Sequence, residues 1–328
     1  MGTVYMIRVV KNIYNKSNKS NKLDKSDKSN YALKIEKIIK KDIKPHNKSE
    51  IWRELDFYKN FGHEFPEQFV NLIEYDFINN CEHVQKYSFD INLFPKQMQN
   101  KLKKKASSNY CIRKVFELMD GNLDEIIKKL NTKQIYSMII QITNGIKILH
   151  SNNYVHGDFH VGNIGWTKTN DKYIIIDGLK VKTFGYRFKL IDFGQVLSNK
   201  FILDNREEKF FSWLIVHELG HLKYIVTDNN FLNGLRKKKI KVDQDKIYRK
   251  IKNTDQFEII KNFKSDVQDQ IFLFELLFED IYQKIVMGES YIKTIPNKLF
   301  LPKEDILIII KMYETPDLLI KYFYSKIL

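Results

Sequence analysis

Two short stretches hold the residues best suited to chemistry: His156-Gly157-Asp158-Phe159-His160-Val161-Gly162-Asn163 and Leu190-Ile191-Asp192-Phe193-Gly194. They place an Asp, an Asn five residues later and a second Asp in the order that ATP-dependent phosphoryl transfer requires. In that chemistry one carboxylate orients the attacking hydroxyl and takes its proton. An amide oxygen and a second carboxylate hold the Mg²⁺ ions that neutralise phosphate charge. Asp158 is the candidate base, and Asn163 and Asp192 are the candidate Mg²⁺ ligands.

The elements that must position these groups are readable from the pattern. Val4 to Val10 and Tyr31 to Ile38 are rich in β-branched and aromatic residues and read as strands. Between them, Asn15 to Asn30 is a Lys/Ser/Asn/Asp tract with Leu23 as its one apolar residue; it cannot bury a core face and is expected to be a disordered loop (15–30). Ser49 is placed to cap a helix running through Trp52, Leu55, Phe57 and Tyr58 and ending near Gly62. Strand-like sequence returns at Phe69 to Phe77 and Tyr110 to Leu118, separated by a polar, basic insertion. From Thr132, the residues Ile135, Met138, Ile139, Ile142, Ile146 and Leu149 share one helical face, and this helix delivers the chain to Tyr154-Val155-His156. A strand-rich part followed by a helix-rich part, meeting near Asp120-Gly121, predicts an α+β, two-lobed fold.

These residues resemble the eukaryotic-like protein kinases from about Gly2 to at least Asp266. Glu54-Leu-Asp-Phe-Tyr58 and Tyr154-Val-His-Gly-Asp158 are similar to the casein-kinase-1 and vaccinia-related branch, and Gly185-Tyr186 before Asp192 resembles serine/threonine kinases of large DNA viruses. The resemblance implies a bilobal kinase-like fold: a small β-rich N-lobe over 1–118 whose first strand is missing, and a larger helical C-lobe over 119–328. The C-lobe would carry a catalytic loop at 154–163 and a metal-binding Asp-Phe-Gly at 192–194. It also implies ATP and Mg²⁺ as cofactors and a protein substrate phosphorylated on Ser or Thr. Tyr31-Ala32-Leu33-Lys34 matches the strand-borne lysine that bridges the α- and β-phosphates, with a helical Glu as its ion-pair partner. Glu50 and Glu54 both stand at workable distances; the residues after Glu54 match the family better, so Lys34 and Glu54 join Asp158 as catalytic candidates. Phe116 to Gly121 looks like the hinge, where the backbone of Glu117 and Met119 would pair with adenine, and Gly2-Thr3-Val4-Tyr5 resembles the end of the phosphate-covering loop.

The chain departs from the pattern in several places. Gly157 stands where an Arg usually follows the His, so activation by loop phosphorylation is not expected. His160 replaces a Lys and resembles aminoglycoside and choline kinases, which keeps a small-molecule acceptor open. Asp177 lies nearer than Asp192 to the usual spacing from Asp158, but Asp192 alone is followed by Phe-Gly, making the residues between them an inserted hairpin. The first two glycines of the phosphate loop are absent. That implies either a start further upstream or a nucleotide-poor pseudokinase scaffold. No Ala-Pro-Glu follows Asp192, and Asp266 is the candidate anchor for the helix after it.

His217-Glu218-Leu219-Gly220-His221 carries a competing chemistry, since His-Glu-x-x-His puts two imidazoles and a Glu base where a peptidase holds zinc. A catalytic zinc needs a third ligand, however, and no His follows His221. A packed helix is the competing expectation.

Composition bounds the remaining classes. The formal charge of +15 and runs such as Lys101 with Lys103 to Lys105, and Arg236 to Lys239 with Lys241, invite a nucleic-acid reading. Of 55 basic residues only 7 are Arg, the residue phosphate and base readers favour, so no specific nucleic-acid partner is expected. The richest apolar segment, Ile271 to Met287, is broken by Glu275, Glu279, Asp280 and Lys284, and no signal-peptide core is present. A soluble, intracellular protein is expected, cytoplasmic, or in host cytoplasm or virion if viral. Cys81 and Cys111 stand in unrelated contexts, suggesting no disulfide framework and a reducing compartment. Oligomeric state is not specified.

Overall fold

The computed structural model describes residues 3–8, 30–46, 49–83, 96–201, 208, 211–212, 215, 218–226 and 300–328. The polar tract at 15–29, Gly2, the basic run at 236–241, Asp266 and the segment 271–287 lie outside them.

Strand β1 (Thr3–Arg8) pairs antiparallel with β2 (Asn30–Ile38), with Val4 opposite Lys34. Helix α1 (Glu50–Asn60) follows, and then β3 (Leu72–Ile78), helix α2 (Lys96–Ala106) and β4 (Tyr110–Glu117) complete a four-stranded antiparallel sheet in the order β1-β2-β4-β3. Alternation decides which β4 side chains point inward: Ile112, Lys114 and Phe116 are buried. Two of these are apolar, as a core face requires. The third is a lysine.

The expectation of no disulfide is corrected here. β3 and β4 bring Ile78 opposite Cys111, and the Cys81 amide donates to the Asn109 carbonyl at 2.8 Å. This folds the connection back, so that Cys81 and Cys111 are joined, with Cα atoms 5.8 Å apart. Thirty residues separate them in sequence, but the hairpin-like return makes them neighbours. The cysteines therefore give no argument for a reducing compartment.

Beyond β4, the short strand β5 (Gly121–Asn122) and one-turn helix α3 (Leu123–Ile126) lead to helix α4 (Thr132–Ser151). Asn131 and Gln134 cap α4 reciprocally, side chain to backbone, at 2.9 and 3.0 Å. The predicted stripe of Ile135, Met138, Ile139, Ile142, Ile146 and Leu149 is fully buried. Each such side chain contributes about 1.5–3 kcal/mol relative to exposure. The terminal helix Pro316–Ser325 packs there through Leu319, Ile320 and Phe323, with Phe323 5.4 Å from Tyr136. Among the described residues, no helix is long and apolar enough to cross a membrane.

β6 (Tyr154–Val155) leads into the first chemical stretch and β11 (Leu197–Ser198) follows the second; between them run β7 (Ile164–Lys168), β8 (Tyr173–Ile176), β9 (Leu179–Lys182) and β10 (Tyr186–Leu190). β8 and β9 form a hairpin closed by Asp177 and Gly178, both at positive φ (49° and 76°), as a two-residue turn matching strand twist demands. Asp177 thus sits at a hairpin tip, bonded to Lys147 at 2.6 Å.

Candidate active site

Two antiparallel ribbons hold the chemical residues together. β7 pairs with β10, placing Ile164 opposite Leu190, so Asn163 just before the ribbon lies beside Ile191, the residue that leads to Asp192. β6 pairs with β11, with Val155 opposite Leu197, and brackets the same two loops from the other side. Cross-links finish the junction. The Ile191 amide donates to the Asn163 carbonyl at 3.0 Å, and buried His156 lies 3.0 Å from the Ile191 carbonyl through Nε2. The long spacing from Asp158 to Asp192 is therefore spanned by a ribbon that returns to its origin.

Within the first loop the Asn163 amide nitrogen donates to the Asp158 carbonyl at 2.8 Å and to its carboxylate at 3.0 Å. The Asn163 nitrogen is spent on Asp158, so its oxygen is the atom a cation would take. His160 Nδ1 accepts from the Gly162 amide at 3.0 Å, and its Nε2 stands 3.5 Å from Asp158 Oδ1. Burial would lower the His160 pKa, but the Asp158 carboxylate outweighs it and raises the value above the ordinary range.

Asp192 is held at φ 59° and ψ 71°, a left-handed conformation that non-glycine residues adopt at a cost and that clusters at functional sites. Its Oδ1 lies 2.5 Å from Lys34 Nζ. Burial would raise the Asp192 pKa, and the Lys34 ammonium more than reverses that, holding it low. Gly194 keeps the space beside it open, since a Cβ there would come within 3.2 Å of Asp192 Oδ1.

The expected Lys34–Glu54 ion pair is corrected by this geometry. Lys34 pairs with Asp192 and with Glu36 at 3.5 Å, whereas Glu54 Oε2 is 2.5 Å from Lys114 Nζ. Lys114 also pairs with Glu36. The reason is register: Lys34 and Lys114 are directly opposite on β2 and β4, so α1 presents Glu54 to two ammonium groups. Burial works against the Lys34 charge, but Asp192, Glu36 and Glu54 outweigh it and raise the pKa well above normal. Burial likewise dominates at Glu54 and raises its carboxyl pKa despite Lys114 and Lys34. Glu50, the other candidate, pairs with Lys105.

Aromatic stacking ties α1 to the Asp192 loop. Phe57 stacks on Phe193 with centroids 4.0 Å apart, and Phe193 meets Phe69 edge-on at 5.5 Å and His156 at 4.6 Å.

At the expected hinge, the Glu117 amide donates to the Asn71 carbonyl at 3.0 Å and its carboxylate accepts from Lys189 at 2.7 Å. Any adenine contact from Glu117 must therefore come from its carbonyl. Met119 packs over β7 so closely that a Cβ on Gly165 would meet its Cγ at 2.9 Å.

The His-Glu-x-x-His stretch resolves into a different role. Glu218 is 4% exposed and accepts from the His156 amide at 3.1 Å and the Gly157 amide at 2.7 Å, with His150 Nε2 2.9 Å away. Burial would raise its pKa; His150, His156 and the Gly157 amide outweigh this and hold it below the ordinary range. A carboxylate committed to three partners is not free to act as base on a zinc-bound water. His217 lies outside the described residues, and among those described no group of three or more His, Cys, Asp and Glu is assembled to hold a metal. The zinc-peptidase expectation gives way to a buried clamp on the loop that carries Asp158. Gly157, whose amide the clamp takes, is required by a second contact: it sits at φ 84°, and a Cβ would overlap the Gln195 carbonyl oxygen. No arginine fits there.

Sequence reasoning thus missed Lys114 and Glu36, and read Glu218 as the Glu of a zinc motif rather than as a clamp. A charged residue at an inward β4 position was the available signal for Lys114.

A sheet flanked by helices α1 and α2, a helical body behind it and catalytic-type loops at the junction define a bilobal α+β kinase architecture. The chain matches the protein tyrosine and serine/threonine kinase family over residues 8–194, more than half its length, and belongs to that family. It is also similar to extracellular signal-regulated kinase 7 of Drosophila melanogaster, at 33% identity over 109 residues. That match covers 32% of this chain and spans only 10% of the relative.

Proposed function

We propose that this chain transfers the γ-phosphoryl group of ATP to Ser or Thr hydroxyls of a protein. The observation that carries the reading is the convergence of Asp158, Asn163, Asp192 and Lys34 at the meeting of two ribbons. One carboxylate and one amide oxygen are hard donors suited to Mg²⁺, which takes its remaining ligands from water and phosphate. When bound, Mg²⁺ would neutralise charge on the transferring phosphate. The chain's own groups do the rest. Asp158, fixed by the Asn163 amide, accepts the hydroxyl proton, and Lys34 holds the α- and β-phosphates. The Glu117 carbonyl and Met119 backbone receive the adenine edge. The strand carrying Val4 runs opposite Lys34, where it can cover the phosphates, and Gly2 is assigned there from sequence. The Ser/Thr preference rests on the resemblance of Tyr154 to Asp158 to serine/threonine kinases. An ATP-dependent reaction also favours an intracellular, cytoplasmic setting.

His160, beside Asp158, favours a second reading in which a small alcohol is the acceptor. Purified chain with γ-labelled ATP, Mg²⁺, a generic protein and a panel of amino alcohols separates these. Label on protein Ser or Thr, reduced about 10²- to 10⁴-fold in Asp158→Asn, supports the protein kinase. Label on an amino alcohol alone supports the second reading. No label on either would point to a silent binding scaffold and overturn both.

A further inference from the structure

We infer that Lys114 is the residue that positions Glu54, and with it helix α1, beside the candidate active site, leaving Lys34 free to move between Asp192 and nucleotide. The catalytic consequence rests on the proposed kinase reading; the anchoring itself does not. Lys114 is 0% exposed on β4, and its ammonium is shared between Glu54 at 2.5 Å and Glu36. Around it runs a chain of alternating charge: Asp192, Lys34, Glu36, Lys114 and Glu54. Removing Lys114 would leave the buried Glu54 carboxylate without its ammonium partner, so that link, at the buried end of the chain, is the strongly held one.

The atoms of Glu54 support this division of labour. Lys114 takes Oε2, while Oε1 is buried without a hydrogen-bond partner. One carboxylate can therefore hold two lysines, one on each oxygen. When Asp192 turns to a cation, Lys34 loses its nearest partner; Glu36 Oε2 is already paired with Lys114, and Glu54 Oε1, whose carboxylate already acts on Lys34, is an open acceptor. Lys34 would then be braced between Glu36 and Glu54 with its remaining hydrogens toward phosphate. Helix α1 carries Phe57 onto Phe193, so the Lys114 anchor also fixes the loop that presents Asp192. An anchor independent of Lys34 keeps α1 in place whether or not nucleotide is bound.

The test compares wild type, Lys114→Met, Lys34→Met and Lys114→Arg in the full chain, by amide exchange without nucleotide and by steady-state transfer with Mg-ATP. Because Lys114→Met strands two buried carboxylates, Lys114→Met/Glu36→Gln is run beside it as a variant with less buried charge. Exchange over residues 50–60 should accelerate about tenfold or more in both Lys114→Met variants, with α4 amides unchanged, and stay at the wild-type rate in Lys34→Met. In transfer, Lys114→Met should lower kcat on the order of 100-fold while the ATP KM stays near wild type, the mark of misplacement rather than lost binding. Lys114→Arg should recover part of that loss. Unchanged exchange over 50–60 in the Lys114 variants, or equal acceleration in Lys34→Met, would overturn the anchor. An unaffected kcat in Lys114→Met would overturn its role in transfer. A wild type that transfers nothing but shows the expected exchange pattern would reject the kinase reading and leave the anchor standing.

Discussion

The ribbons that present Asp158, Asn163 and Asp192 and the sheet that presents Lys34 both hold charged groups beside one junction, but they do so with different bonds. In the ribbons the fixing is done largely by backbone: paired strands, an amide from Ile191, and the two amides that Glu218 receives from His156 and Gly157. In the sheet it is done by a buried run of ammonium and carboxylate groups. Backbone bonds are local and set by the chain path, so a loop held this way tolerates little change in its glycines and little loss of its clamp. Ion pairs can be re-dealt among neighbours, and here Glu54 has gone to Lys114.

The sharpest way to break the backbone-held region is Gly157→Arg. It demands a side chain where the Gln195 carbonyl lies, at a φ that favours glycine. It is expected to cost about 3 kcal/mol or more by denaturant unfolding, and to abolish transfer. An arginine variant of wild-type stability would show that the loop is softer than its bonds imply.

The motif residues were legible because each is a short-range signature: Asp158, Asn163 and Asp192 stand in fixed order, and the buried stripe of α4 follows its period. Lys114 was not legible as a partner, because its pairing depends on the register of β2 against β4 and on where α1 lies across them. Cys81 and Cys111 were missed for the same reason: only the antiparallel return brings them together. Glu218 was hidden by a stronger local resemblance to a zinc motif. Its partners are more than 60 residues upstream, apart from any helical pattern.

Glu218→Gln sharpens the comparison at smaller amplitude. Losing a charged acceptor for two buried amides should cost about 1–3 kcal/mol near neutral pH. The Glu218 carboxyl is held below the ordinary value of about 4.3, so its contribution is present above that pH and is lost as pH falls through the lower folded value. Melting temperature against pH should therefore fall less steeply on the acid side in the variant than in wild type. Buried His156, kept neutral by burial and held below about 6.5, acts in the same direction, its contribution present above that value and lost on acidification.

The smallest effect is expected at Lys147→Ala. Its partners Asp177 and Asp317 sit on exposed ground at the hairpin tip and the terminal helix, so about 0–1 kcal/mol should be lost. Transfer activity should not change, because the hairpin lies outside the junction. A large loss of transfer would mean that the inserted hairpin belongs to the site.

The most direct test of the proposed nucleotide site is calorimetric titration of ATP into wild type and Asp192→Asn, each with and without Mg²⁺. If Asp192 and Asn163 hold a Mg-nucleotide complex, wild type binds at least about tenfold more tightly with Mg²⁺, and Asp192→Asn loses that gain. Equal affinity with and without Mg²⁺, or a variant indistinguishable from wild type, would contradict it.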